Sequence, residues 1–166
     1  MKKYPSIEQF RNIIRAVKTR HDFKGKTEDG EALYFHDTPY PTLSFTGTVK
    51  VHGTNAGIVK YKDPSGFTDI EFQSRERVLS LESDNAGFAL AMSDKNLDFL
   101  FEGIDFKEHI AVYGEWCGSN IQKGVAVCQL PKMFIIFGCM VDGVWVDYQR
   151  FDDKQQIYNT NLFNIY

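Results

Sequence analysis

Lys50-Val51-His52-Gly53-Thr54-Asn55 is the segment of this chain densest in groups that can do chemistry. A lysine amine is a poor nucleophile while protonated, but burial or neighbouring cations lower its pKa and free the lone pair. At a strand end before a glycine turn, Lys50 is placed to present its amine into a pocket. Gly53 lets a backbone approach a ligand closely, and His52 and Asn55 flank it with polar groups. The competing reading is an ordinary β-turn with a solvated lysine, and spacing alone favours it. Other chemistry-bearing residues follow along the chain: Ser74-Arg75, Gly114-Glu115 at the end of IAVYGEW, Gln122-Lys123, and the aromatic run Met133–Phe137. Each has a plainer alternative. Arg75 reads equally as a surface arginine, Glu115 as a salt-bridged carboxylate at a strand end, and Phe137 as a core side chain.

These residues need elements to hold them. Ser6 and Gln9 have the spacing of a capping box, and Phe10, Ile13, Ile14 and Val17 recur at helical spacing, which predicts a helix over about 7–19. Residues 20–41, with Gly25, Gly30, Pro39 and Pro41, read as loop with short strands. Leu43–Val51 is β-rich, and Ala56–Lys62 and Phe67–Ser74 flank the turn sequence DPSG as a hairpin. Asp84 or Asn85 can cap a helix running to about 102, with Gly103 as its stop. Strands are predicted at His109–Trp116 and Met133–Val141. Asp142-Gly143 then turns the chain into Val144–Val146. The order helix, strands, helix, strands predicts an α+β fold with largely antiparallel sheets and flanking helices.

Composition narrows the function classes. The 166 residues fit one domain of ordinary size. At 43% hydrophobic and 14% aromatic the chain is neither disordered nor a disulfide miniprotein. No apolar run reaches membrane length and no secretory signal is visible, so no membrane partner is expected. Three cysteines without a CxxC pair argue against a zinc site, so no metal-ligating residues are expected, and for a reduced, cytoplasmic setting. The net charge of −3 conceals an uneven distribution, since the first 26 residues hold eight basic and two acidic groups. A local basic track for an anionic partner is therefore compatible with an acidic whole.

The segment KVHGTN resembles motif I of ATP-dependent RNA ligases, KxHGxN, and is most similar to the RNA ligase 2 class of covalent nucleotidyltransferases. The histidine and asparagine favour that class over DNA ligases and capping guanylyltransferases. Ser74-Arg75 resembles motif Ia, Gly114-Glu115 motif III, and Met133–Phe137 motif IIIa, and Gln122-Lys123 matches a Gln-Lys pair of that class. The resemblance implies an ATP-grasp-like ligase core in which Lys50 is the catalytic nucleophile, attacking the α-phosphate of ATP to form lysine–AMP. AMP then passes to an RNA 5′-phosphate, and a 3′-hydroxyl end displaces it. Mg2+ would accompany the phosphates. By the same resemblance Glu115 would bind the AMP ribose, Phe137 would stack on adenine, and His52, Gly53 and Asn55 would lie near the nucleotide. Arg75 would meet a phosphate or the RNA end, joined there by Gln122 and Lys123. Phe134 lies three residues from Phe137, on the opposite face of a strand, so only one of the two can face a nucleotide.

Two parts of the family pattern are missing. No glutamate follows Glu115, where motif IV would place one, and no KxK of motif V follows Phe137. The expectation is that residues 1–166 are the N-terminal portion of a nucleotidyltransferase domain, truncated before motifs IV and V. Such a chain should label itself weakly or not at all. It would act as a nucleotide- or RNA-binding module short of full catalysis, and exposed sheet surface would favour self-association. The expected setting is the cytoplasm, a phage host's included.

Overall fold

The computed structural model describes residues 1–6, 8–45 and 50–146, which fall into two compact units: residues 5–49, and residues 1–4 together with 50 onward. The smaller unit holds helix α1 (Phe10–Asp22) and an antiparallel hairpin of β1 (Phe23–Lys26) and β2 (Ala32–Tyr34). Helix α1 starts later than the capping-box spacing predicts. Gln9 is the N-cap, its carbonyl accepts from the Asn12 amide at 2.8 Å, and no side chain of Gln9 caps the helix. The helix runs on through Arg20 and His21, cations that suit its negative C-terminal end.

The larger unit is built on a six-stranded, wholly antiparallel sheet. Its strands are β3 (Thr54–Lys62), β4 (Thr68–Ser74), β5 (Val78–Leu79), β6 (His109–Cys117), β7 (Met133–Val141) and β8 (Val144–Val146), in the spatial order β5-β4-β3-β6-β7-β8. With its two-stranded companion this is an α+β fold. Strand β6 sits near the centre with eight of its nine residues buried, which accounts for its nearly unbroken apolar run. One face of the sheet carries Ile58, Ile110, Val112, Trp116, Phe134 and Cys139, packed on Phe88 and Met92 of the short helix α2 (Phe88–Ser93) and on Leu97, Leu100 and Phe101 beyond it. The other face carries Val59, Ala111 and Tyr113 under Tyr4. The first residues of the chain are held there by polar groups. Gln73, buried, accepts from the Lys2 amide at 2.9 Å and donates to the Lys2 carbonyl at 2.5 Å, while the Tyr113 hydroxyl donates to that carbonyl at 3.0 Å.

The predicted helix over 85–102 is broken into α2 and a single 3-10 turn, Asp98–Leu100. Ala86 and Gly87 have φ of 54° and 77°, so the chain cannot become helical before Phe88. Asp84 still caps the helix, its carboxylate accepting from the Ala89 and Leu90 amides at 2.8 and 3.0 Å. At the far end the Asn96 side chain takes the Asp98 amide at 2.9 Å, a local bond that competes with helix. The predicted strand Leu43–Val51 is not formed at residues 43–45 or 50–51, and 46–49 lie outside the described residues, as does the tail from 147 on.

Both predicted hairpin turns form as their residue types require. Asp63 accepts from the Ser65 and Phe67 amides at 2.8 and 3.0 Å. At the β7–β8 turn Asp142 has φ of 48° and Gly143 83°. The Asp142 carboxylate accepts from the amides of Lys107, Glu108 and His109 at 2.7, 2.8 and 3.0 Å, tying this turn to the start of β6. Hydrogen bonds from His109, Lys107 and Glu108 hold its pKa down at about 2. A depressed carboxyl stabilises the fold above its ordinary value of 3.8, and the effect is lost as pH falls through about 2. Asp142→Asn, which tolerates the left-handed φ, should therefore melt below the wild type at pH 7, and the gap between their melting temperatures should narrow as pH falls from 4 to 2. A constant gap would show that the carboxylate's charge is not what matters.

Candidate functional site

Lys50, Val51, His52 and Gly53 form the loop that leads into β3. Lys50 and His52 are exposed, and Lys50 therefore sits in a loop rather than at a strand end. Gly53 is the mechanical centre of the loop. Its amide donates to Glu115 Oε1 at 3.0 Å and its carbonyl accepts from Gln122 Nε2 at 3.2 Å. A Cβ on Gly53 would overlap the Trp116 carbonyl oxygen and the Cys117 Cβ, so only glycine lets the loop lie this close to β6. The close approach that glycine permits here is to the protein's own backbone.

Asn55 pairs directly with Glu115 across β3 and β6, and Glu115 with Ile135 across β6 and β7. Cross-strand partners share a face. Asn55 and Glu115 thus project together on the face opposite the packed helix, at the sheet end where the Lys50 loop enters. Gly114 must be glycine for a different reason: a Cβ there would run into the Ile135 carbonyl and the Phe134 ring. Burial pushes the Glu115 carboxyl above its ordinary 4.5, and the Gly53 amide and the charges of Lys50 and His52 offset this only in part.

That shift gives a pH prediction. A raised carboxyl pKa means the folded protein holds the proton more tightly. The stabilisation is complete below about 4.5 and is lost as pH rises through the higher folded value. Glu115→Gln keeps an oxygen for the Gly53 amide and removes the buried charge. It should melt at or above the wild-type temperature at pH 7 and show a flatter dependence between pH 4 and 7. A lower melting temperature at pH 7 would mean that the ionised carboxylate is a net stabiliser.

Strand β7 has a bulge where it passes β6. Gly114 faces Ile136 and Tyr113 faces Gly138, which leaves Phe137 as the extra residue. Phe134 is fully buried in the helix-side core, its ring 5.0 Å from that of Phe88. Phe137 is 46% exposed and lies on the other face, its ring steeply inclined to that of Tyr4 with centroids 5.0 Å apart. Tyr4 also contacts Tyr113 and Trp145, at 5.4 and 5.2 Å between ring centroids, so an aromatic group of four surrounds this part of the sheet. Of these four, the sequence singles out only Phe137. Tyr113 and Trp145 lay in recognisable strands, but the docking of residue 4 on them has no local signal.

Arg75 follows β4 at the same sheet end, since Ser74 pairs with Ala56, and its exposed side chain approaches Glu76 at 3.8 Å. Its neighbour Arg77 is structural, donating to the Ser83 carbonyl and hydroxyl and to the Asp84 carbonyl at 2.5–2.8 Å. Lys123 is exposed beside Gln122. Among the described residues no cluster of three metal-capable side chains lies at Lys50. Nor is any helix there long and apolar enough to cross a membrane.

The family model described as RNA ligase matches residues 43–163, most of the chain. No curated protein matches it.

Proposed function

Because the chain belongs to the RNA ligase family, we propose that Lys50 is its adenylylation nucleophile and that the surface bounded by the Lys50 loop, Asn55, Glu115 and Phe137 receives the AMP moiety of ATP. The observation that carries this reading is the pinning of Gly53 between Glu115 and Gln122. Three segments singled out separately along the chain meet on one backbone unit.

The proposed step is nucleophilic. The Lys50 Nζ lone pair forms a bond to the α-phosphorus, the bond to the bridging oxygen breaks, pyrophosphate leaves, and the amine proton passes to solvent. Glu115, fixed by the Gly53 amide, is placed to accept a ribose hydroxyl, and Phe137 offers a half-exposed ring to adenine. Asn55 and His52 flank the phosphates. Arg75, Gln122 and Lys123 are proposed to meet the RNA 5′-phosphate that takes up AMP before a 3′-hydroxyl end displaces it. The described residues near Lys50 do not supply a carboxylate set for Mg2+.

A second reading has its own support. Residues 138–166 contain no KxK pair to add positive charge around the α-phosphate, which favours nucleotide or RNA binding with little turnover. Incubation with α-labelled ATP and Mg2+, followed by a denaturing gel, separates the two. Weak label confined to Lys50 supports the nucleophile and the need for further cations. ATP binding without label supports the binding module. Label that survives Lys50→Ala, or no binding of ATP, overturns the assignment of this surface.

A further inference from the structure

The smaller unit holds a side-chain cluster that the ligase reading does not use. Helix α1 ends on His21 and Asp22, and the chain leaving β2 brings His36 and Tyr40 back beside them. His21 Nδ1 lies 3.0 Å and His36 Nδ1 3.2 Å from the same oxygen, Asp22 Oδ1. The three ligand atoms all lie within 4.8 Å of one another. Tetrahedral zinc, with bonds of about 2.0–2.1 Å, spaces its nitrogen and oxygen ligands about 3.3 Å apart. Two of the three separations are already close to that.

The atoms behind the cluster are held as well. The Tyr40 hydroxyl donates to Asp22 Oδ2 at 3.0 Å, the oxygen not shared by the histidines. Thr38 Oγ1 bonds His21 Nε2 at 3.0 Å, and the His36 ring lies over Tyr40 with centroids 4.2 Å apart. Such outer contacts fix ring orientation and carboxylate direction in metal sites.

The second observation concerns why a metal would be wanted. Among the described residues of 5–49 not one is buried, and Phe10, Phe23, Tyr34 and Phe35 are all exposed. A unit of this size without a core ordinarily needs a disulfide, a metal or a partner to fold. None of the three cysteines lies in it. His21 and Asp22 close the helix while His36 follows the hairpin, so one ion bound to all three would link the unit's first and last described elements.

We propose that His21, Asp22 and His36 bind a divalent transition metal of the zinc class as a structural cross-link of residues 5–49. Two imidazoles and one carboxylate suit zinc and not magnesium. The inference does not depend on the ligase reading.

The test uses the full 166-residue chain stripped of metal by chelation. Titration with Zn2+ by calorimetry should show one site and should raise the melting temperature, and Mg2+ at the same concentration should do neither. His36→Ala removes a ligand that is 52% exposed, so in chelator its circular dichroism spectrum should match that of the metal-free wild type. It should bind Zn2+ at least about 100-fold more weakly, and Thr38→Val, which leaves all three ligands in place, about tenfold more weakly. Cys128→Ser should bind as the wild type does. Failure of the wild type to bind Zn2+, or binding that follows Cys128 or His52 and survives His36→Ala, would overturn the site. The cluster would then be a hydrogen-bonded His–Asp–His network that needs no ion.

Discussion

Lys50→Ala is expected to reduce covalent AMP capture to background while leaving the melting temperature where it was. The side chain is exposed, so removing it creates no cavity and strands no buried partner. Lys50→Arg sharpens the test. A guanidinium keeps the positive charge beside Glu115 but stays protonated at every accessible pH, so it cannot attack phosphorus. If Lys50 acts as nucleophile, both variants lose the label and Arg retains more ATP affinity than Ala. If Lys50 only attracts phosphate, Arg keeps whatever signal the wild type gives. Intact-mass measurement of the AMP adduct, with nucleotide binding followed in parallel, reads both quantities. His52→Ala, removing an exposed neighbour, should lower the label without abolishing it.

Phe134→Ala and Phe137→Ala are expected to fail in opposite ways, although the two residues are three apart on one strand. Phe134 is fully buried against Phe88, and its ring also fills the space over Gly114. Its loss should cost about 3–5 kcal/mol of folding stability through lost transfer energy and a cavity that β6 and α2 cannot close. Phe137 is half exposed and packs on Tyr4 at a steep angle, so its loss should cost about 1 kcal/mol or less. In the proposed site, however, Phe137→Ala should weaken adenosine nucleotide binding by about 1–3 kcal/mol, the range seen when a base loses an aromatic stacking partner. Urea denaturation gives the first quantity and nucleotide titration the second. Equal stability losses for the two variants would put Phe137 in the core and remove it from the nucleotide surface.

The parts of this fold that were legible in the sequence are those whose stabilising bonds are local. Asp63-Pro64-Ser65-Gly66 and Asp142-Gly143 specify their turns because the aspartate side chains and the glycine backbones close them within a few residues. Strands β6, β7 and β8 were readable from alternation and apolar runs, and β7 and β8 form between the residues expected. Apolar spacing that continues past Ser93 predicts a longer helix than α2, which the left-handed residues 86–87 and the Asn96 side-chain bond confine. The β7 bulge is only faintly legible in the sequence. Gly138, a glycine inside a strand, is the one local hint of it, while the bulge's position at Phe137 is fixed by the register of β7 against β6.

The candidate site divides in the same way. Residue types and short spacing were enough to single out Lys50, His52, Gly53 and Asn55, and the order of Arg75, Glu115, Gln122 and Phe137 pointed to the family to which the chain belongs. That Glu115 and Gln122 grip the two sides of Gly53, from 62 and 69 residues away, is decided by strand pairing between β3 and β6 and has no local cause. The same holds for Tyr4 on Tyr113, and for His36 brought within 3.2 Å of Asp22 across 14 residues. Sequence alone determines which groups are available and which turns can form, because those depend on bonds within a few residues. Which groups meet, which face each aromatic takes and which carboxylate is half-buried depend on sheet register and packing, and only the assembled tertiary structure sets those.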